Sequence, residues 1–276
     1  MNKAGTTGMK FHQGIAFSMP FMKLSKAEAV FWPGCALMNL DNEILERTLE
    51  ILKRSEPDIG ISTCCCGQPS KYLFPKEHAK RQQRLIALLK RQKVKRIYTA
   101  CPNCTVELRA LECVEVIPIW KVLADNTTTA DVTQSNTPCT IHDPCPMRKD
   151  AVQQQAAREL IALTGAQLTE PEHARESTIC CGNFHMMRAI NPEKSAVMRK
   201  RRVTEFPENT VITSYCEGCL GAFRDEGRET FHVLELLFGR SQQRGWKNRI
   251  MYTMKSKEQK RIDYPLFLFL CVANNL

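Results

Sequence analysis

The sequence has neither a G-x-G-x-x-G turn nor a G-x-x-x-x-G-K-[ST] loop, the glycine patterns by which backbone cradles a dinucleotide or a nucleoside triphosphate. Nothing in it points to a bound nucleotide. It also lacks a membrane-length apolar run, because its best candidate, residues 266–273, has eight residues where a bilayer-spanning helix needs ~20. No secretory leader is legible, since the apolar stretch at residues 14–22 is short and broken by Pro20. The ferredoxin run C-x2-C-x2-C-x3-C-P is missing as well. Acidic residues are outnumbered, 29 to 39, giving a formal charge of +10 that favours anionic partners or surfaces without naming one.

What remains is a chain of 276 residues, 43% hydrophobic and 25% charged, long enough to bury a core and too ordinary in composition to be disordered or collagenous. Fourteen cysteines are out of proportion to the rest. They come in close groups: Cys64-Cys65-Cys66, Cys101 and Cys104, Cys180-Cys181, Cys216 and Cys219. Adjacent cysteines meet disulfide geometry poorly but suit a shared metal centre. A chain of this size needs no covalent staples. The reading is a reducing, cytoplasmic protein, with membrane association left open by its tail.

Residues 1–27 carry no clear period and are expected to form a loose tail. Ala29-Val30-Phe31-Trp32 then reads as a buried strand stopped by Pro33-Gly34, just before Cys35. Asp41 is placed to cap a helix running to about Arg54. Residues 59–63 lead into Cys64, residues 76–93 read as an amphipathic helix, and residues 96–100 as a strand ending at Cys101. The second half repeats this plan. Residues 140–143 lead into Cys145, residues 149–164 form a helix, and Thr178-Ile179 leads into Cys180. Residues 192–204 form a second helix, and residues 210–214 lead into Cys216. Alternating strands and helices imply parallel α/β units. The boundaries follow: a first module at 28–125, a polar linker at 126–137, a second module at 138–238, and a basic and apolar tail at 239–276.

The duplication is in strict register. Cys65, Cys66, Cys101 and Cys104 recur 115 residues later as Cys180, Cys181, Cys216 and Cys219, while Cys35 and Cys145 stand 110 apart. Each half therefore offers C-x(29 or 34)-C-C-G-x33-C-x-x-C, five thiols per module. Every group is expected just past a strand's C-terminal end, the ligand-binding edge of an open parallel sheet. Helix N-termini there stabilise thiolates, and Gly67 and Gly182 let the chain turn after two ligands. Zinc takes four thiolates, commonly from paired C-x-x-C knuckles. Each half has one C-x-x-C and a thiol to spare. Iron–sulfur clusters tolerate wider spacing. Both remain open on spacing alone.

The doubled pattern resembles the cysteine-rich CCG domains of heterodisulfide reductase. It is similar too to the iron–sulfur subunits of glycolate, lactate and glycerol-3-phosphate dehydrogenases. The likeness covers residues 28–238. It implies an α/β fold of two tandem Rossmann-like parallel-sheet modules related by a pseudo-twofold repeat, and an oxidoreductase subunit active with partner subunits. It further implies two 4Fe–4S clusters of non-cubane type. One would be held by Cys35, Cys65, Cys66, Cys101 and Cys104, the other by Cys145, Cys180, Cys181, Cys216 and Cys219. The electron donor would be a ferredoxin or a flavoprotein subunit, and in the reductase relatives a disulfide is split with one electron from each cluster. Pro146 follows Cys145 where relatives often carry histidine, and Gly182-Asn183-Phe184-His185 replaces a glycine-rich loop. The other reading is a structural zinc protein serving as an interaction scaffold.

Alignment on Gly67 favours Cys65 and Cys66 over Cys64 as ligands. Cys113, Cys139 and Cys271 lie outside the pattern and read as buried free thiols. His142 and His185 stand close enough in sequence to the second set to approach a cluster sulfur. Residues 80–96 hold eight Lys/Arg and no acid, a solvated face or a landing site for an acidic donor. Without interleaved aromatics that run does not suggest nucleic acid. Residues 239–261 are basic, with Trp246, Ile250, Met251 and Met254 at helical spacing, suited to a membrane surface or a partner.

Overall fold

The computed structural model describes residues 2–18 and 20–258. The first half runs α1 (Lys3–Ala16), β1 (Ala29–Trp32), α2 (Asn42–Leu52), β2 (Gly60–Ile61), α3 (Gln68–Leu73), α4 (Pro75–Gln92), β3 (Arg96–Thr99), α5 (Pro102–Arg109), β4 (Glu115–Pro118) and α6 (Ile119–Asn126). The second half runs β5 (Pro138–His142), α7 (Ala151–Leu163), β6 (Gln167–Thr169), α8 (Met187–Ile190), α9 (Pro192–Val203), β7 (Val211–Ser214), α10 (Glu217–Arg224), β8 (Thr230–His232), α11 (Val233–Phe238) and α12 (Trp246–Glu258). The strands form two four-stranded parallel sheets of identical plan, β2-β1-β3-β4 and β6-β5-β7-β8. Trp32 pairs with Thr99 at the end of β1, and His142 with Ser214 at the end of β5. These are the same two positions of the repeat. The duplicated α/β plan expected from the cysteine register is the observed one.

Central strands of a parallel sheet are covered on both faces and read as continuous apolar runs. Accordingly every residue of β1 and β7 is buried. The two sheets do not stand apart. Helix α6 lies against α7, and α2 against α11. Leu45, Leu49 and Leu123 of the first half share one core with Leu160, Val233 and Leu237 of the second. Each such side chain taken out of water stabilises the fold by about 1.5–3 kcal/mol before conformational entropy is counted.

Several expectations need correction. The supposed loose tail contains α1, capped by the Asn2 side chain, with Gln13 and Ala16 buried. Three glycines and scattered apolar positions hide that helix, which exists because tertiary packing rewards it. The linker is pinned. Arg54 holds the Asp131 carboxylate at 2.5 and 2.7 Å, and Thr133 donates to the Leu237 carbonyl at 2.7 Å. Asp41 makes no cap bond to α2; its carboxylate accepts from the Gln242 and Gln243 backbone at 2.6 and 3.4 Å. No strand directly precedes Cys180, which follows a 3-10 turn at Arg175–Ser177. The basic tail begins with α12, whose Arg249, Tyr252 and Thr253 are buried. Residues 266–273 and Cys271 lie outside the described residues. Among the described residues no helix is long and apolar enough to cross a membrane.

Candidate metal centres

In each module three chain turns deliver the thiols. The first follows the first strand and carries Cys35 or Cys145. The second is the Cys-Cys-Gly turn, closed by Gly67 and Gly182 at φ +86° and +84°, a conformation that favours glycine. At Gly182 a Cβ would also meet the Ser195 carbonyl oxygen at 2.5 Å. The third follows β3 or β7, where Cys101 and Cys216 are the N-cap residues of α5 and α10. Cys104 and Cys219 then lie one turn inside those helices, and the helix N-terminal N–H groups of Asn103 and Cys104 act on Cys101.

The five thiols of each module meet in one contact chain. Cys65 interacts with Cys35 and Cys66, and Cys104 with Cys66 and Cys101. In the second module Cys180 interacts with Cys145 and Cys181, and Cys219 with Cys181 and Cys216. The two networks correspond residue for residue. In both, the first cysteine of the pair collects the negative charge. The Cys35 and Cys66 thiols draw Cys65 well below its ordinary value, aided by the Gly67 N–H at 3.4 Å. The Cys145 and Cys181 thiols do the same for Cys180, with the Gly182 N–H at 3.3 Å. The Cys104 thiol, then the backbone N–H groups of Cys104 and Asn103, lower Cys101.

Cys64 is turned away. Its thiol donates to the Lys23 carbonyl at 3.3 Å, and burial pushes it up to about 12. Cys113 and Cys139 are likewise outside both networks, each raised by burial. His142 is brought to the second set: one of its ring nitrogens and the sulfurs of Cys181 and Cys219 lie within 4.8 Å of one another. His185 is not. It is exposed and stacks on Tyr72, with ring centroids 4.4 Å apart.

Residues without any cysteine signal complete the surroundings. Gln13 of α1 donates to Cys65 Sγ at 3.6 Å, placing α1 over the first set together with Ala16 and Phe17. The second set instead opens on a cavity of about 50 Å³ between the modules, where Gln68 and Asn103 of the first half face Cys145, Asn183 and Cys216 of the second. Arg249 and Arg202 are almost wholly buried, and Arg249 Nε and Nη2 and Arg202 Nη2 bond nothing. The charge of Arg249 acts on Cys35 and that of Arg202 on Cys219. Arg202 already pairs with Glu205, but a buried cation with idle N–H groups such as Arg249 is costly unless an anion lies nearby. A thiolate-ligated metal or iron–sulfur group in the first set supplies one. The donor sets and their surroundings therefore fit such a group.

Residues 29–109 and 139–224 each match the family described as the CCG cysteine-rich domain. The chain belongs to that family. The two matches take in three strands of each sheet, all but β4 and β8, and all ten thiols of the networks. Domains of the CCG type occur in iron–sulfur oxidoreductase subunits. No curated protein is detectably similar in sequence. Among solved structures, "Crystal structure of a putative Asp/Glu Racemase from Yersinia pestis" aligns over 83% of this chain and 99% of its own, at 9% identity and a TM-score of 0.31. That likeness is too slight to bear on fold or function.

Proposed function

We propose that this CCG protein is an iron–sulfur electron-transfer subunit of an oxidoreductase, with one 4Fe–4S centre in each module. Cys35, Cys65, Cys66, Cys101 and Cys104 would hold the first. Cys145, Cys180, Cys181, Cys216 and Cys219 would hold the second. The observation that carries this reading is the matched five-thiol network: tetrahedral zinc and a cubane 4Fe–4S cluster each use four thiolates, whereas the non-cubane cluster implied by the resemblance takes all five. When bound, the two centres supply one-electron chemistry.

This chain's own side chains then divide the work. Around the first set, Gln13 and α1 cover Cys65, which suits a relay. Around the second, the small cavity walled by Gln68, Asn103 and Asn183 opens on the thiols, and their amides offer donors and acceptors beside them. A disulfide would suit that chemistry, since two electrons and two protons convert it to two thiols. The electrons come from a ferredoxin-like or flavin-containing partner, since this chain offers no flavin or nucleotide motif.

The test is metal and sulfide content with absorption and EPR spectra after anaerobic purification. Brown protein with about eight iron atoms per chain, the content of two four-iron centres, supports the reading. Colourless protein with two zinc ions would make it a structural scaffold instead.

A further inference from the structure

The last residues of β1 and β5 are equivalent in the repeat, each three positions ahead of its module's first thiol: Trp32 before Cys35 and His142 before Cys145. They differ chemically, yet they share two properties. Both side chains are fully buried, at 0% exposure. Each also carries a nitrogen without a hydrogen-bond partner, Nε1 of Trp32 and Nε2 of His142. A buried polar nitrogen left unpaired is costly, so the same cost at both equivalent positions asks for a common cause.

The neighbours supply it. Trp32 packs in one buried cluster with Cys66 and Cys104, and His142 reaches Cys181 and Cys219. These are the same two thiols of the repeat. An indole nitrogen can only donate. An imidazole nitrogen can donate or accept, and here a third residue decides. Arg202 Nε donates to His142 Nδ1 at 3.2 Å. Arg202 is itself anchored by an ion pair to Glu205 and by the Phe206 ring, 4.5 Å from its guanidinium carbon. Guanidinium has no acceptor to offer, so Nδ1 must be the bare nitrogen and Nε2 must carry the hydrogen. Phe223, edge-on at 5.0 Å, holds the ring plane.

We propose that Trp32 Nε1–H and His142 Nε2–H are matched hydrogen-bond donors to the sulfurs of the group each module holds, on the Cys66/Cys104 and Cys181/Cys219 sides, and that Arg202 fixes His142 as donor and bars it from ligating metal. This rests on the iron–sulfur reading above. Donors to sulfur stabilise the reduced, more negative state and raise the potential. Histidine three residues ahead of the second site's first cysteine is thus the counterpart of tryptophan, and not an eleventh ligand.

The experiment is an EPR-monitored redox titration of the anaerobically purified full chain, with iron measured on the same samples. A Cys216→Ala sample assigns the two signals. His142→Leu should lower the potential of the second centre alone and Trp32→Phe that of the first alone, while His142→Gln, which keeps an N–H, should retain most of the wild-type value. Iron-loaded variants whose potentials do not move overturn the donor role. Wild-type protein without iron breaks the parent reading instead. If the variants fail to fold, pulsed EPR on wild-type protein labelled with ¹⁵N-histidine decides: a weak nitrogen coupling is expected, whereas the strong coupling of a bound nitrogen, or none, overturns the proposal.

Discussion

Asp143 and Arg158 form a buried two-point salt bridge, Nη1 lying 3.0 Å from one carboxylate oxygen and Nη2 2.8 Å from the other. The same carboxylate accepts from the Arg175 backbone N–H at 2.7 Å and the Tyr215 hydroxyl at 3.1 Å, and the Asp143 carbonyl accepts from the Thr178 hydroxyl at 2.8 Å. Asp143 precedes Cys145, Thr178 precedes Cys180 and Tyr215 precedes Cys216. One aspartate thus ties together the three turns that carry the second thiol set. Removing one partner of a buried pair costs about 3–5 kcal/mol. Asp143→Ala should lower the unfolding midpoint accordingly and deplete metal from the second module more than the first, measured by thermal unfolding and by metal analysis against Cys101→Ala and Cys216→Ala.

Cys64 offers a sharper distinction. Because its thiol bonds the Lys23 carbonyl and stays outside the network, Cys64→Ser should leave metal stoichiometry unchanged. Cys66→Ser should lower it. The reverse pattern in metal analysis would mean that Cys64 and Cys65 serve the first site.

The two Cys-Cys-Gly turns should differ in tolerance. A methyl at Gly182 meets the Ser195 carbonyl at 2.5 Å, whereas at Gly67 the first atom met is a ring carbon of Phe17 at 3.2 Å. Positive φ strains alanine at both, by about 1–3 kcal/mol. Gly182→Ala should therefore destabilise more than Gly67→Ala in denaturant titrations. Equal effects would show that the Ser195 backbone yields freely.

The basic run at residues 80–96 is only partly a free face. Arg96 pairs with Glu56 at 3.0 Å, Lys95 with Glu28 at 2.6 Å, and Arg84 donates to the Phe17 carbonyl at 3.3 Å. Lys90, Arg91 and Lys93 are exposed. Steering between exposed charges is screened over roughly 8 Å at physiological salt. Reduction by an acidic donor should slow as salt rises, and reversing these three to Glu should remove most of that dependence with metal content unchanged. Stopped-flow reduction at low salt, with the triple variant as fast as wild type, would count against docking there.

The repeat was legible because thiols in constant register leave a signature that drift cannot imitate, and the same register places Cys65 beside Cys66 and Cys180 beside Cys181 at the centre of both networks. Strands β4, β6 and β8 left none: Glu115, Pro118, Gln167, Thr169, Thr230 and His232 break the apolar run that marks β1 and β7. The surroundings were hidden for another reason. Arg202 reaches His142 across sixty positions and Arg249 reaches His12 across 237, and local pattern holds no trace of such pairs. His142 was found by its nearness to Cys145 in sequence; the same reasoning wrongly raised His185, which the chain turns outward after Phe184.

The ends of the chain cross over. Helix α12 follows the second module but rests on the first, where Asn248 bonds the Asn39 carbonyl at 3.2 Å and Lys23 bonds the Thr253 carbonyl at 2.7 Å. Helix α1 precedes the first module, yet the Asn2 N–H bonds the Ile190 carbonyl of the second at 3.1 Å. Each half is buckled by a strap sewn to the other. Dividing a duplicated protein arranged this way at its midpoint parts each half from a strap it rests on. Without α12 the first module loses its contacts at Asn39 and Lys23, and without α1 the second module loses its contact at Ile190 and the first thiol set its cover.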